Sequence, residues 1–258
     1  MEALRELAGH QLVPPEPHFR WRGGEITRLE GFTDAVFAFA VTLLVVSLEV
    51  PHTFHELVVA MKGFAAFAIC FTILVRVWYY HYIYSRRYGL QTTYTFVLNA
   101  ILLFVVLFYV YPLKFLFTLV MGGLTGGLTV PKEELDRMFT SAQQIPALMI
   151  IYSIGYIAVC VLFALLYHYA YQKRVELELN EYEAVRTRHA VIFQLSFAGI
   201  GVLVILAALA LPVQKAGYSG LLYSLKGVAG FLLGSILGKR ERLALARIQS
   251  GSAVRAAR

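Results

Sequence analysis

Long apolar stretches alternate with short polar segments along the whole chain. Windows of about 20 apolar residues, the length that an α-helix needs to cross the hydrocarbon core of a bilayer, recur along it. We predict six spans, near residues 29–50, 58–81, 92–119, 143–170, 189–211 and 217–238. Only a short segment that opens at Pro212 and contains Gly217 separates the last two, which predicts a tight turn and a helical hairpin. The pattern therefore predicts an all-α integral membrane protein with six transmembrane helices.

Composition supports the same class. Of the 258 residues, 59% are hydrophobic and 15% are charged, whereas soluble domains carry about 45–50% apolar and about 25% charged residues. Cys70 and Cys160 both fall inside apolar stretches, so we interpret them as small core residues and expect neither a disulfide nor a metal site. The sequence contains no zinc-protease, nucleophile-elbow or phosphate-loop motif. We therefore expect no enzyme activity and no cofactor.

Basic residues predict the orientation of the spans. With six spans both termini lie on one side, and cytoplasmic termini leave only Lys132, Arg137 and Lys215 in the outer loops. The inner segments then hold sixteen basic residues: Arg5, Arg20, Arg22, Arg28, Arg86, Arg87, Lys173, Arg174, Arg186, Arg188, Lys239, Arg240, Arg242, Arg247, Arg255 and Arg258. This asymmetry accounts for the net charge of +7 without a nucleic-acid partner.

Three regions follow from this topology. We predict a cytoplasmic N-terminal segment at residues 1–28, a six-helix transmembrane domain at 29–238 and a basic cytoplasmic tail at 239–258. The acidic linker at residues 172–188 is interpreted as a solvated cytoplasmic extension of two spans, with a ligand sensor as the alternative.

One carboxylate lies inside the first predicted span. A charge at a span's centre costs about 2.5–3.5 kcal/mol, so Asp34 needs partners. In the predicted topology Trp78 and His81 of the second span and Asn99 of the third lie at the same depth, with Arg28 near the inner mouth. We interpret this set as a polar cluster that fixes helix packing. A proton-sensing site remains the alternative, because histidine beside a carboxylate titrates near neutral pH.

The first span also carries a regular apolar face. At about 100° per residue, Ala35, Phe39, Thr42 and Val46 share one narrow stripe, while Asp34 points elsewhere. Such a stripe most often faces lipid or a protein core. From spacing alone, a pore-lining role is an alternative.

These residues resemble the signature of a known channel family. The first span contains Arg28-x-x-x-Phe32-Thr33-Asp34-Ala-Val-Phe-Ala-x-Ala-x-Thr42-Leu-Leu, followed by Glu49-Val-Pro51; Trp78-x-x-His81, Leu98-Asn99 and Tyr111-Pro112 follow in the next two spans. The set resembles the endosomal and lysosomal potassium channel family, transmembrane protein 175, and in particular its single-repeat prokaryotic members. Thr33 replaces the serine of the family motif and keeps its hydroxyl. The motif match covers roughly the first 115 residues.

The resemblance implies a homotetramer in the plasma membrane of a prokaryote, with the first helix of each subunit lining a central pore. It implies a hydrophobic constriction at Phe39, where the family has a bulky aliphatic residue, a hydroxyl linked to potassium preference at Thr42, and a further apolar layer at Val46. Potassium and other monovalent cations would be the permeant species. We expect modest selectivity, because a ring of side chains offers fewer fixed dipoles than stacked carbonyls.

Two other functions remain open at this stage. A non-conducting membrane scaffold would use the cluster around Asp34 only to hold helices together. A proton-coupled transporter would need a titratable group in the transport path, and the helical wheel places Asp34 away from the stripe.

Overall fold

The computed structural model describes residues 18–46, 52–130, 137–139, 141 and 143–256. Its elements are α-helices and one 3₁₀ helix, and none of the residues described forms a β-strand. In chain order they are α1 (Arg28–Val46), α2 (Phe54–Lys62), α3 (Phe64–Tyr88), α4 (Thr93–Leu124), α5 (Gln144–Gln172), α6 (Glu181–Ala210), the 3₁₀ helix (Val213–Ser224) and α7 (Leu225–Ala256). The predicted all-α class is confirmed.

Five helical segments of the described chain are long and apolar enough to cross a membrane. They are α3, α4, α5, α6 and the stretch Val213–Ile248, which joins the 3₁₀ helix to α7. The described part of α1 has 19 residues, including Arg28, Glu30 and Asp34. Its predicted span continues to residue 50, and residues 47–51, which include the Glu49-Val-Pro51 motif, lie outside the described chain.

Local signals explain where the long helices begin and end. Thr92 and Thr95 form a reciprocal capping box at the start of α4, in which each side chain accepts the other's backbone N–H. Asn180 and Glu183 form the equivalent box before α6. Gly89 ends α3 in the left-handed conformation, with φ +57°, and its N–H donates to the carbonyl of Ser85.

Three predicted boundaries differ from the structure. The second span, predicted at 58–81, is divided at Gly63 into α2 and α3, and α3 extends to Tyr88. Helix α6 begins at Glu181 and not near residue 189, because the capping box starts the helix inside the charged linker. Helix α7 runs without a break across the predicted boundary between residues 238 and 239.

The tight turn predicted between the last two spans is wrong. A 3₁₀ helix of 12 residues, Val213–Ser224, occupies this position. Ala216 and Ser219 are its two buried residues, and their spacing of three matches the three residues per turn of a 3₁₀ helix. One face of the segment therefore packs on α5 and α6, and this packing favours 3₁₀ geometry over a sharp reversal.

The helices pack as two sets that meet mainly where α4 lies against α5. Helices α1, α3 and α4 pack on one another, α6 packs on both α5 and α7, and α4 packs on α5. A continuous apolar core includes Leu44, Leu102, Val110, Phe163 and Leu166. Cys70 and Cys160 are free and buried, as predicted. The arrangement leaves one side of α1 without a neighbour among the residues that the structure describes.

Candidate functional site on the first helix

Helix α1 has one buried side and one uncovered side. The buried side packs on α3 and α4 and carries Thr33, Phe37, Ala40 and Leu44. The uncovered side carries Phe32, Ala35, Phe39, Thr42 and Val45. At about 100° per residue, Thr42 lies roughly opposite the middle of the buried row. The chain therefore leaves open the side of α1 that contains the stripe seen in the sequence.

Phe39 and Thr42 are neighbours on this open side. Phe39 is 56% exposed. The Thr42 hydroxyl donates to the backbone carbonyl of Phe39 at 2.7 Å. Because this bond uses the hydroxyl hydrogen, the lone pairs of the Thr42 oxygen remain available to a cation. Ala35 is also exposed, while the side chain of Val46 lies outside the described residues.

The polar residues predicted around Asp34 form two separate pairs. Trp78 Nε1 donates to Asp34 Oδ1 at 2.7 Å, which ties α1 to α3. His81 Nε2 donates to Asn99 Oδ1 at 3.0 Å, which ties α3 to α4, and both of these side chains are buried. The hydrogen-bond partner of the histidine is an amide and not the carboxylate. This pairing favours the packing interpretation of the cluster over proton sensing.

The two remaining motif residues have different surroundings. Thr33 is fully buried, and its hydroxyl donates to the carbonyl of Leu29 at 2.8 Å within α1. Arg28 is exposed and forms no ion pair with any residue the structure describes. Together with Glu30 and Asn99 it borders an open cavity of about 510 Å³ at the start of α1. Thr33 is therefore a packing residue, whereas Arg28 faces a space that water can fill.

Sequence analysis missed the anchor of the segment that precedes α1. Arg22 Nη2 lies 2.6 Å from Glu183 Oε2, and the two side chains are 12% and 1% exposed. Glu183 Oε1 also accepts from the backbone N–H of Arg20 at 2.7 Å, and Arg22 Nε donates to the carbonyl of Leu177 at 2.6 Å. The solvated linker predicted from the sequence is wrong at Glu183. The Asn-x-x-Glu capping box was visible in the sequence, but its distant partner was not.

A second unforeseen cluster joins α6 to α7. Glu241 accepts from His189 Nδ1 at 2.7 Å and from Arg186 Nη1 at 3.1 Å. Arg247 pairs with Glu181 one to two turns further along, at 2.8 Å. His189 is therefore a buried partner of Glu241. These pairs attach the basic C-terminal helix to the rest of the fold.

No metal site is evident among the described residues, none of which form a cluster of three or more histidine, cysteine or acidic side chains. Among the described residues, the stripe of α1 presents the Thr42 hydroxyl between apolar and aromatic groups. Such a surface suits a dehydrating ion or a second copy of the helix.

Comparisons with known proteins identify the family of the chain. Residues 28–109, which contain α1, α2, α3 and the first half of α4, match the family described as Endosomal/lysosomal potassium channel TMEM175. A protein of Marivirga tractuosa described as "Potassium channel" is 39% identical over 238 residues, covering 90% of this chain and 95% of that protein. A crystal structure of the potassium channel MtTMEM175 T38A variant, in complex with a nanobody–MBP fusion protein, superposes with a TM-score of 0.78 at 37% identity, covering 88% of this chain and all of that one.

The chain is thus a multi-pass membrane protein of the channel class. It belongs to the endosomal/lysosomal potassium channel family TMEM175, as a prokaryotic member. The family consists of ion channels, which are not enzymes.

Proposed function

We propose that this protein is a potassium-permeable cation channel in the plasma membrane, formed by four identical six-span subunits with cytoplasmic termini. The observation that carries the proposal is the open side of α1. A membrane helix with a bare stripe of Phe39 and Thr42 must meet lipid, another subunit or water, and the family match falls on this same helix. If α1 of each of the four subunits lies at the centre of the assembly, the four stripes surround a central axis. This placement gives the stripe a function.

The pore mechanism rests on two kinds of side chain. Rings of Phe39 and Val46 form the apolar constriction and gate by dewetting, because an ion cannot carry its hydration through a dry ring. Ala35 widens the path on the cytoplasmic side. Hydroxyl oxygens of Thr42 replace part of the hydration shell of potassium, with the hydroxyl hydrogens held by the Phe39 carbonyls. One ring of four hydroxyls gives modest selectivity over sodium, and no cofactor is needed.

The polar pairs serve the pore indirectly. Trp78 binds Asp34 on the flank of α1, so the rotation of this helix about its own axis is fixed by α3. His81 and Asn99 fix α3 against α4 in turn. Asp34 therefore supports the orientation of the pore helix and does not itself line the ion path.

The test is the bi-ionic reversal potential and unitary conductance of purified protein in bilayers. We expect Phe39→Asn to raise conductance or leak, because water enters the constriction. We expect Thr42→Val to keep current while the preference for potassium over sodium falls, because the shape is kept and the hydroxyls are lost.

Two matched controls sharpen this experiment. Thr72 on α3 makes the same kind of intrahelical bond, from its hydroxyl to the carbonyl of Ala68, so Thr72→Val removes an equivalent group outside the stripe. Phe104 on α4 is 69% exposed, so Phe104→Asn matches the phenylalanine change. Both controls should behave as wild type. Wild-type conductance and reversal potential in both stripe variants would place the pore on another helix.

A further inference from the structure

A groove with no contribution from α1 separates the two sets of helices. Its cavity has a volume of about 590 Å³ and lies between α3 on one side and α6 and α7 on the other. This volume falls in the range of about 300–1,000 Å³ that is typical of ligand sites.

Two cations, Arg76 and Lys226, line this groove. Arg76 is the thirteenth of the 25 residues of α3, so it lies about 18 Å from either end of the helix. Its guanidinium donates to the Tyr80 hydroxyl at 2.8 and 3.0 Å. Lys226 Nζ lies 4.6 Å from the ring centre of Tyr156 and 5.5 Å from that of Phe197. Neither cation has a carboxylate partner among the residues described, although charge at this depth is costly.

The rest of the groove is also positive. Arg87 and Arg186 line its inner end, where Arg186 and His189 share the carboxylate of Glu241. No aspartate or glutamate belongs to the described lining of the cavity itself. The arrangement leaves an excess of positive charge that an anion would neutralise.

The opposite wall is apolar and has free space. Gly227 and Gly230 of α7 line the groove, and a Cβ atom added at either would meet nothing within 4 Å. Phe193 and Phe197 of α6 continue this wall. Cations beside open apolar surface suit an amphiphile with an anionic headgroup better than a small inorganic anion.

We propose that this groove binds an anionic phospholipid, with its phosphate held by Arg76 and Lys226 and its apolar part against the open side of the groove. Basic pockets between transmembrane helices bind such headgroups on the cytoplasmic side. The lipid comes from the leaflet next to Arg87, which is the cytoplasmic one in the orientation proposed above. Since Arg76 precedes Arg87 by about three helical turns, the headgroup enters the groove beneath the membrane surface.

The test measures lipid binding to the full-length protein purified in detergent. Phosphatidylglycerol, phosphatidylcholine and inorganic phosphate are each added, and the melting temperature and the mass of bound lipid by native mass spectrometry are recorded. For the wild type, we expect phosphatidylglycerol alone to raise the melting temperature. The double variant Arg76→Gln/Lys226→Gln should bind it at least tenfold more weakly, whereas Lys226→Arg, which keeps the charge, should retain binding.

The matched control is Lys215→Gln/Arg188→Gln, which removes two exposed cations outside the groove and should leave binding unchanged. Unchanged lipid affinity in the groove variant would overturn the proposal. So would equal stabilisation by inorganic phosphate, which would indicate a free-anion site, or a change of oligomeric state without a change in lipid retention, which would indicate a groove filled by a second copy. Potassium current from the same samples reports the channel function separately.

Discussion

At the scale of single residues, an indole and a carboxylate determine how the first helix presents its open side. Asp34 and Thr42 are eight residues apart on α1, so fixing the azimuth of one fixes that of the other. The 2.7 Å hydrogen bond from Trp78 fixes the direction of Asp34, and therefore the rotation of α1, from within the same subunit. Orientation of the stripe is therefore a property of the folded chain and does not wait for assembly.

We predict that Trp78→Phe destabilises the protein by about 1–3 kcal/mol, because it leaves the Asp34 carboxylate without its donor. Asp34→Asn should cost less, since an amide oxygen still accepts the indole hydrogen. The measurements are the melting temperature and the fraction of intact oligomer on size-exclusion chromatography.

Trp21→Phe provides the control for this change. The indole nitrogen of Trp21 is buried and has no hydrogen-bond partner within the described chain, so its loss removes packing area but no bond. It should cost clearly less than Trp78→Phe. Equal losses from the two tryptophan variants would mean that the indole volume, and not its bond to Asp34, matters.

Sequence reasoning identified the polar residues of this site but not their pairing. Polar groups inside an apolar span stand out because burial there is costly, which makes Asp34, His81 and Asn99 visible without any structure. Their partners depend on the rotation of α3 by one or two residues, which hydrophobic periodicity does not resolve. The stripe on α1 was visible for the same periodic reason, whereas its exposure depends on which helices cover the opposite side.

At the scale of elements, the packing of α6 on α5 depends on a small residue. A Cβ atom at Gly201 would lie 2.6 Å from the Ile157 side chain, whereas a Cβ at Gly199 of the same helix would meet nothing within 4 Å. Small residues of this kind let membrane helices approach closely.

We expect Gly201→Ala to destabilise the protein by about 1–3 kcal/mol through overpacking. Gly199→Ala should be neutral or stabilising by up to about 1 kcal/mol, because alanine is the better helix former. The measurement is the melting temperature of the two variants in the same detergent. A loss of similar size at both positions would argue against close helix approach at Gly201.

The segment before α1 is an element of its own, and its attachment can be tested. Removing one partner of a buried ion pair costs about 3–5 kcal/mol, so Glu183→Gln should release residues 18–27 from α6. Hydrogen exchange or limited proteolysis of this segment is the measurement. The expected result is faster exchange or cleavage there, with the core of α4 and α5 unchanged.

Glu178→Gln is the control for the ion pair. Glu178 lies 4.0 Å from Arg20, with both side chains largely exposed, so this pair contributes at most about 1 kcal/mol. Protection of residues 18–27 should persist in this variant. If both glutamate variants released the segment equally, burial of the Glu183 pair would not be what holds it.

The bounds of α4 and α5 could be predicted from the sequence, whereas the 3₁₀ helix could not. Residues 92–119 and 143–170 were predicted within a few residues of α4 and α5, because both helices are long, continuously apolar and bounded by polar residues. The 3₁₀ helix was missed because its sequence reads as a loop, and only the burial of Ala216 and Ser219 against neighbouring helices selects its geometry.

At the scale of the whole molecule, the distribution of basic residues predicts which loops face the cytoplasm. We propose cysteines at Leu128, which is 74% exposed after α4, and at Val175, which is 79% exposed after α5. An impermeant thiol reagent added to intact cells should label Leu128→Cys, whereas Val175→Cys should react only after the membrane is opened. The native Cys70 and Cys160 are buried, so the wild type is the unlabelled control. Labelling of both variants from outside would overturn the six-span topology.

The ion pair between Arg22 and Glu183 also affects the order in which the protein folds during its synthesis. Arg22 and Glu183 are separated by 161 residues, so the ribosome adds Arg22 long before it adds Glu183. At synthesis rates of about 5–20 residues per second, this interval lasts roughly 8–30 seconds. During that time the Arg22 side chain lacks its partners Leu177, Glu178 and Glu183, whereas the backbone N–H of Arg22 can already donate to the carbonyl of Arg86 on α3. The N-terminal segment is therefore among the first parts translated, but its attachment to α6 can form only after Glu183 has been added.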